Sequence, residues 1–168
     1  MIIGVPKEVK NNESRIGLTP DSVYSLVKEG HEILIQKDAG ASIGFFDNQF
    51  ISSGAKIINS AEEVYKSSEM IVKVKEPIPE EYNFLRDDLT LFTYLHLAGD
   101  TENAKKLIDT GVTGIAYETV TAEDGSMPLL APMSTIAGQL AFIVGSYHLL
   151  KHNQGKGVMI GKLDDIEP

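Results

Sequence analysis

The sequence predicts an α/β fold: a mostly parallel, Rossmann-like sheet flanked by helices, followed by a long linking helix and a short tail. Three observations carry this expectation. Short β-branched runs alternate with helical patterns from Ile2 to Tyr117, the rhythm of a parallel sheet wrapped by helices. The runs Met70 to Lys75 and Leu89 to His96 are apolar on both faces for most of their length, as strands covered on both sides are. Each of these runs also ends in one ionisable residue, Lys75 or His96, with Pro or Gly shortly after. Open α/β sheets bind ligands in the crevice at the carboxyl ends of their strands, so Lys75 and His96 are expected to face one cleft.

Taken in order, Ile2 to Val5 is a short strand stopped by Pro6, and a charged loop from Lys7 to Gly17 carries Arg15. Thr19-Pro20 offers an N-cap with Pro at the first helical position. Val23, Leu26 and Val27 recur at helical spacing before Gly30. His31 to Gln36 reads as the second strand and Ala39 to Gly44 as a loop of small residues. Asp47 is expected to cap a short helix holding Phe50 and Ile51 that stops at Gly54, and Lys56 to Asn59 is the third strand. Ser60 and Glu63 have capping-box spacing and open a further helix ahead of the strand that ends in Lys75. Pro77 and Pro79 break the chain there. After the His96 strand, Asp100 caps a helix with Ala104, Leu107 and Ile108 that ends at Gly111, and Val112 to Tyr117 supplies another strand.

From Glu118 the texture changes. Glu123 to Ser126 is a turn, Met127 to Pro132 an extended apolar segment, and Ile136 to Leu150 a long apolar helix expected to be buried. A helix starting after Ser134 or Thr135 offers free backbone N–H groups to an anion, although either residue also serves as a plain N-cap. The expected organisation is a substrate-binding domain over 1–133, a linking helix over 134–152 and a flexible tail over 153–168.

The 168 residues suffice for one full domain with its core. A charged fraction of 23% and a hydrophobic fraction of 42% are those of an ordinary globular chain. The net charge of −9 argues against nucleic-acid or anionic-membrane binding, both of which need a basic field. Without cysteine there is no disulfide, thiolate nucleophile or Cys-based metal site. The start, Met1-Ile2-Ile3-Gly4, has no signal-peptide pattern, and the most apolar stretch falls short of the ~20 residues that cross a bilayer. A cytoplasmic protein is the expectation.

Three residues suggest chemistry. At the end of its strand the Lys75 ammonium can hold a carboxylate or carbonyl oxygen, while Lys73, on the same face by alternation, is expected to snorkel past the sheet edge. His96, expected to share a strand face with Phe92 and Tyr94, can act as general acid or base, or can be a hydrogen-bonded structural histidine. Arg15 has the planar fork that suits a carboxylate. Together the set would bind a small carboxylic acid and move a proton on it. No metal site is expected: His148 and His152 are four apart on a helical stretch, but no Glu follows His148 as a zinc-protease motif requires. Gly155 to Gly161 is spaced one residue too wide for a dinucleotide fingerprint and reads as a connector.

Several motifs then carry a likeness. Ile3 to Glu8, Glu13 to Pro20, Val72 to Pro77, Leu91 to Ala98, Gly114 to Thr119 and Pro128 to Ser134 resemble, in collinear order, the alanine dehydrogenase family. The first domain of proton-translocating nicotinamide nucleotide transhydrogenase is similar more loosely. The resemblance implies interconversion of L-alanine with pyruvate and ammonium by NAD. By position, it implies that Arg15 and Lys75 hold the substrate carboxylate and carbonyl oxygen, that His96 is the catalytic acid/base, and that Ser134 touches NAD. In the family a complete NAD-binding Rossmann domain follows the stretch near Gly155. Here the likeness stops at about Gly161, so the chain resembles the front part of the enzyme, is expected to lack the NAD-binding domain and a second catalytic carboxylate, and is not expected to bind NAD tightly alone. Apolar surface left uncovered is expected to favour a homo-oligomer or association with a chain that supplies the NAD domain. Two other readings stay open: a non-enzymatic module that binds a small keto or amino acid, and the first segment of a transhydrogenase-like subunit.

Overall fold

A computed structural model of the chain describes residues 1–161. It divides into two compact units, Met1–Val120 and a second beginning at Thr121. The first is the expected α/β sheet. Six strands, β1 (Ile2–Val5), β2 (Glu32–Gln36), β3 (Lys56–Ile58), β4 (Met70–Val72), β5 (Thr90–Thr93) and β6 (Thr113–Ala116), lie in the order β3-β2-β1-β4-β5-β6. Every pairing is parallel. The chain builds outward from β1 on one side, then returns to lay β4 against β1's other edge, with Ile3 opposite Met70 and Gly4 opposite Ile71. The strand order therefore reverses between β1 and β4, and the carboxyl ends of these two strands are the switch point at which open α/β sheets bind ligands.

Strand alternation fills both faces. Ile3, Val5, Ile33, Ile35 and Val72 pack with Val23 of helix α1 (Pro20–Lys28) and Phe50 of α2 (Asp47–Ser52). Ile71 and Leu91 pack on the other face with Val64 of α3 (Ala61–Ser67) and Leu107 of α4 (Thr101–Asp109). The helix starts follow the sequence. The side chain of Thr19 accepts from Ser22 N, that of Ser60 from Glu63 N, and that of Asp100 from Asn103 N. Asp47 departs from its expected role: Phe46 is the N-cap, Asp47 is the first helical residue, and its carboxylate accepts from Asp38 N at 2.9 Å, closing the preceding loop.

The main difference lies at the strand ends. β4 stops at Val72 and β5 at Thr93, so Lys75 and His96 stand on loops beyond the regular ladder. The cause is a change of hydrogen-bond acceptor. The N–H groups of Val74, Lys75, Leu95 and His96 go to carboxylates, which ends the strand pattern and turns the chain. Lys73 does not snorkel either. It is 1% exposed, held inside by Glu81.

In the second unit, α5 (Ala131–Leu149) begins ahead of Ser134, with Leu130 as N-cap and Pro132 in its first turn. Ser134 N already donates to Leu130 O, and Thr135 Oγ1 donates to Ala131 O, so neither residue is a cap and the Ser134 N–H is not free for an anion. The expected buried helix is not buried. None of its residues is, and Phe142 and Ile143 are 61% and 62% exposed. His148 lies in the last turn of α5, whereas His152 falls in a separate 3-10 turn, Lys151–Asn153, so the two do not share a helix. Part of the expected tail, residues 162–168, lies outside the described residues.

Candidate functional site

Four loops, those that follow β1, β4, β5 and β6, leave the carboxyl end of the sheet around the switch point between β1 and β4. Arg15 comes from the first, Lys75 from the second, His96 from the third, and the fourth contributes Tyr117 and Glu118. The three residues expected from the sequence thus follow the carboxyl ends of three strands of one sheet. Their mutual influence links them. The Lys75 charge helps to hold the Glu13 carboxyl down, Glu13 is bonded to Arg15, the Arg15 charge acts on Tyr94, and Tyr94 stacks on His96 with ring centroids 6.0 Å apart and planes at 19°. Ser134 belongs to the second unit, where it is exposed.

Each of the three is gripped by a carboxylate. Glu13 accepts from Arg15 N at 2.9 Å, Nε at 2.8 Å and an Nη at 2.5 Å. This fork pins the guanidinium, and the Arg15 hydrogen bonds lower the Glu13 carboxyl to about 2 even though its burial works the other way. Glu8, on the same loop, accepts from Val74 N at 2.6 Å and Lys75 N at 3.4 Å. Its Oε2 has no hydrogen bond and stands 3.9 Å from Lys73 Nζ. Burial raises the Glu8 carboxyl despite the opposing charge of Lys73. Glu118 accepts from Leu95 N at 3.2 Å and His96 N at 2.7 Å. Here the backbone is strained: His96 has φ +50, a left-handed conformation that costs a side-chain-bearing residue roughly 1–2 kcal/mol.

Around the site lies an aromatic wall. The Tyr117 ring meets Phe92 edge-on at 4.4 Å and Tyr94 at 5.1 Å, and burial pushes its phenol far above the ordinary range. Beneath it, Lys73 Nζ bonds both oxygens of Glu81, and Glu81 also accepts from Tyr65 OH at 2.9 Å and Ile78 N at 3.0 Å. Lys10 pairs with Glu76 at the outer edge. The sequence gives no sign of the roles of Glu8, Glu13 and Glu118 beyond the place of Glu13 two residues before Arg15; the other pairings join residues far apart in the chain.

This arrangement suits a small anion bearing a carbonyl: a guanidinium, an ammonium and an exposed imidazole stand on loops that leave the carboxyl end of one sheet, each loop held by a carboxylate. The first β-to-α crossing, where a Rossmann sheet cradles a pyrophosphate, is here the charged loop from Pro6 to Thr19 with no Gly-x-Gly-x-x-Gly turn. Among the described residues no three His, Asp or Glu side chains form a group that could hold a metal, and no helix is long and apolar enough to cross a membrane.

Residues 4–137 match the family model described as alanine dehydrogenase/PNT, N-terminal domain. The chain belongs to this family. Over 168 residues it is 46% identical to an alanine dehydrogenase of Methanococcus maripaludis, covering 100% of this chain and 45% of that protein. An alanine dehydrogenase of Bacillus subtilis is 51% identical over 166 residues, covering 99% of this chain and 43% of that one. A solved L-alanine dehydrogenase superposes with a TM-score of 0.86 at 47% identity over 100% of this chain and 46% of its own. A transhydrogenase from Sinorhizobium meliloti, at TM-score 0.66 and 24% identity, shares the fold over 70% of this chain and 35% of its own. The family chain described here thus spans less than half the length of its alanine dehydrogenase relatives, and it corresponds to their N-terminal part. The all-parallel sheet is the architecture of that part.

Proposed function

We propose that Met1–Val120 forms the substrate-binding part of an NAD-dependent alanine dehydrogenase, which interconverts L-alanine with pyruvate and ammonium. The observation that carries this reading is the gathering of Arg15, Lys75 and His96 at the switch point of a sheet whose relatives are alanine dehydrogenases. Arg15, oriented by Glu13, draws the substrate carboxylate by its charge. Lys75 donates to the carbonyl oxygen of pyruvate and polarises it toward attack by ammonia. His96, exposed and stacked on Tyr94, carries protons to and from the oxygen and nitrogen as they exchange on the same carbon. The Tyr117, Tyr94 and Phe92 rings keep water from one side of the substrate. NAD supplies the hydride chemistry when bound, and Ser134 is the residue of this chain proposed to touch it. The partner proposed for the second unit is a chain or domain that binds NAD, or further copies of this chain, in the cytoplasm.

Calorimetry with pyruvate tests the site. Binding is expected for the chain as it stands and is expected to be lost in Lys75→Ala, while an absence of heat at millimolar pyruvate would overturn the reading. Adding NADH and ammonium, with and without an extract of the source cells, tests turnover separately.

A further inference from the structure

His96 stands in a left-handed backbone conformation at the end of a strand, and the one group that bonds its N–H is the carboxylate of Glu118. Two consecutive N–H groups, those of Leu95 and His96, converge on it. Convergent N–H groups in a left-handed turn form a concavity that takes an anion, and a carboxylate placed there stabilises a backbone that is otherwise unfavourable. At the neighbouring strand end Glu8 likewise receives two consecutive N–H groups, those of Val74 and Lys75, there without a left-handed residue. In both cases the acid comes from the loop of the adjacent strand, β6 beside β5 and β1 beside β4. The repetition marks a device for aiming a side chain.

Resting on the proposed role of His96, we propose that Glu118 is the positioning residue of the proton carrier. By holding the Leu95 and His96 N–H groups it fixes the left-handed turn that lays the imidazole against Tyr94 and points it at the substrate carbon held by Arg15 and Lys75. Glu118 does not touch substrate and takes no proton in the reaction. Its effect passes through the orientation of the ring.

The test uses the chain as it exists, with Glu118→Gln and Glu118→Ala. Gln keeps a neutral acceptor, Ala keeps none, so the effect is expected to grow from the first to the second. Pyruvate affinity, read by calorimetry, is expected to fall about tenfold in Glu118→Ala, the scale of loss that follows a small misplacement of a site group. In a His96→Ala background the same substitution is expected to change affinity little, because the group it aims is gone. Equal losses with and without His96 would overturn the proposal and leave Glu118 a general structural acid. The ring-proton resonances of His96, shifted by the stacked Tyr94 ring, give a readout independent of substrate. They are expected to move toward those of an unstacked histidine in both variants, and unchanged resonances would overturn the proposal. If Glu118→Ala does not fold, Glu118→Gln carries both measurements. A wild-type chain that fails to bind pyruvate overturns the substrate reading alone, since the resonances still decide the positioning role.

Discussion

Lys73 Nζ lies 2.5 Å and 2.7 Å from the two carboxylate oxygens of Glu81, and both side chains are closed off from solvent at 1% and 6% exposure. The pair sits directly under the loop that carries Lys75, and Tyr65 OH and Ile78 N complete the acceptor capacity of Glu81. Removing one partner of such a pair leaves an uncompensated buried charge. Lys73→Met is therefore expected to lower unfolding free energy by about 3–5 kcal/mol. In Lys73→Met/Glu81→Gln much of that loss should return. Urea denaturation of the two variants checks this, and a single variant as stable as the wild type would show the pair to be dispensable.

Glu13 makes a pH-dependent contribution whose sign can be worked out. Its folded value, about 2, lies below the ordinary 4.5, so the stability it contributes is fully present above 4.5 and drains away as pH falls toward 2. Arg15 is 42% exposed, so solvent screening limits the contribution to roughly 1 kcal/mol. Glu13→Gln is expected to be less stable than the wild type near neutral pH by about that amount, with the gap closing on acidification. Paired unfolding curves across the acid range measure it. A gap that stays constant down to the lowest pH would contradict the Arg15 pairing.

Gly17 places the Arg15 loop. A Cβ built there would lie 2.5 Å from Val72 O and 2.9 Å from Val72 C, so the loop rests directly on the backbone at the end of β4 because residue 17 has no side chain. Gly17→Ala must lift the loop or push β4 aside, and neither neighbour is a yielding side-chain tip. A loss of about 1–3 kcal/mol in stability is expected, together with weaker pyruvate binding, because Arg15 moves with the loop. Calorimetry and thermal melting on one preparation separate the two effects.

The features legible in the sequence share a property: their causes are local. The caps Thr19, Ser60 and Asp100 lie three residues from the N–H groups they accept. The parallel sheet follows from runs whose period and breakers sit within a few residues of each other. Lys75 and His96 were visible because they end apolar runs. Their geometry is not, since the strands stop short of them for reasons lying 67 and 22 residues away in Glu8 and Glu118. Lys73 was misread for the same reason. Alternation gives its direction, but only the fold brings Glu81 back over it from the next turn. The order of the strands, with its reversal beside β1, is likewise a tertiary fact, although the sequence alone sets Arg15, Lys75 and His96 after strands of one sheet.

The exposed surface of α5 yields the last prediction. Ile136, Leu140, Phe142, Ile143, Val144 and Tyr147 are each between 49% and 62% exposed, on a helix with no buried residue. Five of them, Ile136, Leu140, Ile143, Val144 and Tyr147, follow the i, i+4, i+7, i+8, i+11 spacing of a single helical stripe, and an exposed apolar stripe of that kind is stable only when covered. In water the chain should cover it with whatever apolar surface is available, and the surface at hand in a pure solution is another copy. Concentration-dependent association is therefore expected in sedimentation velocity. Phe142→Glu/Ile143→Lys should shift the distribution toward the monomer while leaving pyruvate binding by the sheet unit intact. A wild-type chain that stays monomeric up to high micromolar concentration would contradict this expectation.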